Sequence, residues 1–87
     1  MKRAVHKHTL VGTDQVIWLP EGAEVVSVGW QPHAGLCLWS WGDQSGRPAP
    51  RRFAVLMTGE CTDLEHLSFI GRATRGSIEL HIFEVVG

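Results

Sequence analysis

The chain predicts an all-β fold, a small antiparallel sandwich or partly open barrel of about seven strands. Three observations carry this. Apolar residues recur at period two in short runs, as where Ile78, Leu80 and Ile82 alternate with Glu79, His81 and Phe83. Turn-forming residues break the chain at the eight-to-twelve-residue spacing of such domains. No segment holds a helical period, and no internal repeat is visible. The 87 residues make one β domain spanning 1–87, with a single core and little surplus burial.

The central stretch is Val16 to Trp30, which reads as strand, tight corner, strand. Val16, Ile17 and Trp18 are β-formers, and Pro20 ends the first run because it cannot donate to a ladder. Glu21-Gly22-Ala23 turns the chain, with Gly22 free to take positive φ. Val26, Val28 and Trp30 then share one face, and Val25, Ser27 and Gly29 the other. A corner of this kind takes the chain from one layer to the next.

Before it, Arg3 to Val11 forms a strand in which Val5, Lys7 and Thr9 alternate with His6, His8 and Leu10. Neither face is strongly apolar, which suits an edge strand or an oligomer contact. Gly12-Thr13-Asp14 makes a turn. After the corner, Pro32-His33-Ala34-Gly35 is a hairpin turn. Leu36 to Trp41 follows as a strand bulky on both faces, Leu36, Leu38 and Ser40 against Cys37, Trp39 and Trp41. Such a strand is central or covered by a partner.

Gly42 to Pro50 reads as a long loop, because its Gly, Pro, Asp and Ser oppose regular structure. It is a candidate interaction loop or the mobile end of a hairpin. Arg51 to Thr58 is a strand with Phe53, Val55 and Met57 on one face and Arg52, Ala54 and Leu56 on the other. Gly59 to His66 is polar, with Thr62 or Asp63 able to cap a single helical turn. Leu67 to Ala73 is a short strand, Arg75-Gly76 a turn, and Ser77 to Val86 the last strand.

Composition narrows the function. The apolar fraction of 44% with 20% charged residues is that of a globular chain. A formal net charge of -1 offers no field for long nucleic acid. No apolar run is long enough for a transmembrane helix, and the basic start MKRAVHKHTL lacks the apolar core of a signal peptide, so a cytoplasmic location is expected. Cys37 and Cys61 have no CxxC spacing, and two buried free thiols are the expectation.

In combination, Leu19-Pro20-Glu21-Gly22-Ala23, Cys37-Leu38-Trp39, Thr58-Gly59-Glu60, Phe69-Ile70-Gly71-Arg72 and His81-Ile82-Phe83-Glu84 resemble an uncharacterised family of short phage and prophage proteins. Its members carry an LPxGA corner, a CLW strand, a GTG turn after an Arg-Phe strand, a YIGT strand and a closing HVFE. Glu60 departs from the second Gly of the turn, and Phe69 from the Tyr. The resemblance runs from about Gln15 to Val85 and implies a phage or prophage origin and a cytosolic β domain in a bacterial host. It transfers no catalytic residue.

Two constellations stand out. His6 and His8 share a strand face, and pairing of the terminal strands would bring His81 to them, a set able to hold a divalent ion. The other reading is two exposed edge-strand histidines and one hydrogen-bonded His81 beside Phe83. No carboxylate completes the set, and no metal or cofactor is assigned. Ser40, Ser68 and Cys61 lack a nucleophile motif, and no catalytic residue is assigned. The second constellation is Arg47, Arg51 and Arg52 with Trp39 and Trp41. Arg with Trp suits a protein hot spot or stacking on a nucleotide-type ligand, and His81 joins these as a candidate contact. The bland alternative is a core Trp39 and solvated arginines.

The expectation is a non-catalytic phage-encoded binding protein that inhibits a host defence component, by docking on a protein or sequestering a small nucleotide-type ligand. The alternative is a phage assembly protein acting as a homo-oligomer. A homo-oligomer, most simply a two-fold dimer, is expected because Leu36–Trp41 is apolar on both faces.

Overall fold

The computed structural model describes residues 2–87. Its seven strands are β1 (Arg3–Thr9), β2 (Asp14–Pro20), β3 (Glu24–Gln31), β4 (Gly35–Asp43), β5 (Pro48–Met57), β6 (Leu67–Arg75) and β7 (Ile78–Val85). They form two sheets, ordered β1-β4-β3 and β2-β5-β7-β6, with every pairing antiparallel. The sheets are not closed into a barrel, so the sandwich is the architecture.

The inner faces follow from the pairing. Leu36 and Leu38 of β4 face Ile17 and Leu19 of β2, Phe53 and Val55 of β5, Ala73 of β6 and Ile82 of β7, all buried in one cluster. The central corner does what its residues dictate. β2 lies in one sheet and β3 in the other, and Gly22 turns the chain at φ 77°. Ala23 N–H bonds to the Pro20 carbonyl to close the turn, and Ala23 itself is buried.

Two bulges break the simple alternation. The register of β3 shifts between Val25 and Ser27. Val25 therefore joins Val28 and Trp30 on the inward side, opposite Ser40, Leu38 and Leu36. Val26, expected with Val28 and Trp30, is left exposed. A second shift lies between Phe69 and Gly71 of β6, turning Phe69 outward while Ile70 packs against the core. β3 and β6 approach each other along this side. At Gly71 an added Cβ would stand 2.8 Å from Val28 Cγ2, so the close approach needs the glycine.

Several expectations need correction. Gly42 to Pro50 is not one loop: β4 runs to Asp43, β5 starts at Pro48, and only residues 44–47 connect them. Nor is it a hairpin end, since β4 and β5 belong to different sheets. Pro48 and Pro50 are tolerated because of strand parity. The Arg47 carbonyl accepts the Glu21 N–H and the Val55 N–H donates to the Thr13 carbonyl, both on the β2 side, so even-numbered residues point their nitrogens toward β7. The β7 pairing ends at Arg52↔Val85, so the two prolines lie past the point where an N–H is needed. The helical turn near Thr62 is absent. Thr62 Oγ1 instead accepts the Leu64 N–H at 3.1 Å, a local side-chain turn in an extended segment. The terminal strands do not pair, because β1 lies beside β4 and β7 between β5 and β6. Cys37 is buried, but Cys61 is exposed in the connection after β5.

β1 is an edge strand and β4 is central in its sheet, as their patterns suggested. Among the described residues there is no helix, hence none long and apolar enough to cross a membrane.

Candidate functional site

Strand parity sends the expected site residues to different places. Trp39 and Trp41 stand on the outer face of β4, opposite Lys7 and Val5 of β1. Trp39 is half-buried rather than core, and Trp41 is 36% exposed. Arg52 pairs in register with Val16 and Val85, on the outer face of the other sheet, and His81 shares that face. The two tryptophans and these two residues therefore lie on opposite sides of the sandwich. Arg47 is exposed in the short β4–β5 connection.

Arg51 points inward between the layers. Its guanidinium donates two bonds to the Glu84 carboxylate, at 2.7 and 2.8 Å, and a third to the Ala23 carbonyl. The planar fork matches a carboxylate bidentately, and here it ties β5 and β7 to the layer-crossing corner. The bonds to Glu84 raise its pKa, so the charge is permanent. Arg52 donates to Asp14, with Nε to Oδ1 at 2.8 Å. That contact holds the Asp14 carboxyl below its ordinary value. Both adjacent arginines are thus engaged within the fold.

The histidines are also separated. His6 and His8 project from the inward side of β1. His8 Nε2 lies 3.1 Å from the hydroxyl of Ser40, which is fully buried. Burial first, and the neighbouring His6 second, hold the His8 imidazole below its usual pKa. His81, in the other sheet, has its Nε2 2.7 Å from Oγ1 of Thr58, in the turn after β5. Among the described residues no group of three or more His, Cys, Asp or Glu is placed to hold a metal ion.

What the structure adds is exposed apolar surface on both broad sides. On the β1-β4-β3 sheet, Trp41 stands with Val5 and Val26, both about half exposed. Beside Trp41 is a notch lined by Arg3, Glu21, Glu24 and Asp43, three carboxylates against one guanidinium. On the β2-β5-β7-β6 sheet, Trp18 is 63% exposed, Phe69 60% and Val16 53%. Phe69 packs edge-on against Phe83, with ring centroids 5.5 Å apart. An outward sheet face is ordinarily polar, so this one is the larger departure. The sequence reading missed Trp18 because its neighbours Ile17 and Leu19 are apolar too. In such a run, only the partner strand's register tells which residues point out. Phe69 is displaced outward by a bulge that leaves no mark in composition.

Fold and surface together define a two-sheet antiparallel β-sandwich with exposed aromatic side chains on its broad faces. The chain belongs to the family described as a domain of unknown function (DUF7352), whose model matches residues 1–87. Neither the curated proteins nor the solved structures give a match.

Proposed function

We propose that this chain is a non-catalytic, phage-encoded binding protein that docks on a host protein through the outer face of the β1-β4-β3 sheet. The observation that carries the reading is the charge around Trp41. A nucleotide-type ligand needs free guanidinium or ammonium groups for its phosphates. Arg51 and Arg52, the best candidates by position, are bonded to Glu84 and Asp14. The notch at Trp41 carries Glu21, Glu24 and Asp43 against Arg3 alone, which disfavours a phosphate and favours a basic segment of a protein. Trp41 can receive such a cation on its ring face, and Trp is enriched at protein hot spots. The phage setting, with a cytoplasmic host component as target, rests on the resemblance of the LPEGA, CLW and HIFE motifs.

The test is affinity capture from bacterial host lysate on the immobilised chain, followed by binding of the purified captured protein to Trp41→Ala and Glu24→Lys. Expected is one stoichiometric partner with a basic contact segment, bound about tenfold more weakly by each variant. Native mass spectrometry of the same preparation reads retained small molecules. A nucleotide adduct, with capture indifferent to both substitutions, refutes the reading.

The alternative role, an assembly protein acting through its own oligomer, draws support from one separate observation, the apolar outer face of the other sheet.

A further inference from the structure

We propose that the outer face of the β2-β5-β7-β6 sheet is a two-fold interface with a second copy of this chain. The inference does not rest on the docking face of the opposite sheet, and either can fail alone.

The first argument is the character of the face. Val16 and Trp18 rise along β2 at one edge, and Phe69 stands on β6 at the other. Between them the register sets Ala54 and Phe83 in one row with Phe69. Ala54 is small and fully buried beneath its neighbours, so the exposed apolar surface of the face lies along its two edges. Two such faces related by a two-fold axis can lay the apolar edges of each on those of the other, as the layers of a sandwich pack.

The second argument is charge. The face carries Asp14 and Arg52, bonded to each other, and Arg72 and Glu79, 3.5 Å apart. Each cation is answered by an anion on its own copy. A second copy therefore meets no uncompensated charge of its own sign, which is what an isologous contact requires. A partner of strong net charge would find nothing here to complement it.

The third argument is area. The Cα extents are 42 × 31 × 16 Å, a slab, and the accessible surface is 5698 Å². One broad side of such a slab is about a quarter of its surface, so covering little over half of that side reaches the roughly 800 Å² per partner of a stable interface.

The experiment is sedimentation equilibrium of the full chain between about 1 and 100 μM, the range where a specific dimer of moderate affinity dissociates. Expected is twice the 9.6 kDa chain mass at the upper end. Phe69→Lys and Val16→Lys should each weaken dimerisation about thirtyfold or more, while Val5→Lys, on the opposite outer face, leaves it unchanged. Far-ultraviolet circular dichroism checks that each variant keeps its β structure. If either variant fails to fold, hydroxyl-radical footprinting of the wild-type chain replaces it: labelling of Trp18 and Phe69 should fall as concentration rises. A wild-type monomer across the whole range overturns the proposal. So does a dimer that tolerates both lysines, or one whose Trp18 and Phe69 stay fully labelled.

Discussion

Replacing Arg51 by Met should cost the fold about 2–3 kcal/mol. The perturbation removes three bonds at once: two to Glu84, at 2.7 and 2.8 Å, and one to the Ala23 carbonyl. The side chains of Arg51 and Glu84 are 24% and 17% exposed. At an effective dielectric near 20, opposite charges about 4 Å apart attract by roughly 4 kcal/mol, before desolvation takes back part of it. Orphaning one member of a fully buried pair costs about 3–5 kcal/mol, and residual solvent access lowers the figure here. Methionine keeps much of the apolar stem, so the loss reports mainly on the guanidinium. In a domain of this size each kcal/mol moves the Tm by about 4–8 °C, so a fall of about 10–20 °C is expected. Arg51→Lys should recover only part of it, because an ammonium cannot form the fork. The assay is a double-mutant cycle by thermal and urea unfolding, with Arg51→Met, Glu84→Leu and the pair. Removing both charges leaves neither orphaned, so the double variant should be more stable than the sum of the single losses by about 1–2 kcal/mol. A Tm within about 3 °C of wild type for Arg51→Met, or strict additivity in the cycle, refutes the idea that this pair ties the corner to the sheet.

Two further expectations test the inward side of the sandwich. Because burial chiefly, and His6 secondarily, lower the folded pKa of His8, the unfolded chain binds that proton more readily. Its contribution is therefore fully present above the unfolded value of about 6.5 and is lost as pH falls below that toward the folded pKa. His8→Gln should flatten the acid side of the Tm profile below about pH 6.5, and an unaltered slope there would count against it. Gly71→Ala places a Cβ 2.8 Å from Val28 Cγ2 and should destabilise by about 1–3 kcal/mol. Val28→Ala in the same chain should make the added methyl nearly neutral, and a Gly71→Ala variant as stable as wild type would mean that β3 and β6 do not approach closely.

The parts of the fold that were legible are those whose cause is local. Pro20, Gly22 and Ala23 make a corner with residues that touch one another in sequence, and the chain changes sheet there. The edge position of β1 follows from its alternation of Val5, Lys7 and Thr9 with His6 and His8, a pattern with no strongly apolar face. The central position of β4 follows from bulk on both of its faces. What was not legible depends on the neighbouring strand. Pro48 and Pro50 look like loop residues, yet they sit in β5 because β7 has already ended opposite Arg52. Val25 and Phe69 take the faces they do because bulges insert a residue into β3 and β6, and a bulge reverses every side chain beyond it.

The candidate site failed to assemble for a related reason. Arg51 and Arg52 are adjacent in sequence, and such adjacency reads as a single basic cluster. In a strand it sends them to opposite faces. Arg51 is drawn inward to Glu84 and the Ala23 carbonyl, and Arg52 outward to Asp14. A basic cluster read from sequence thus becomes one interlayer tie and one surface pair, on either side of a single sheet. The same rule works in reverse for Trp18. Ile17, Trp18 and Leu19 look equally buried as a run, but β2 can give only one parity to the core, and Ile17 and Leu19 take it. The tryptophan is left facing out, among Val16 and the prolines of β5. In this chain the exposed apolar surface is therefore set by the parity of the strands, more than by which residue types lie close together in sequence.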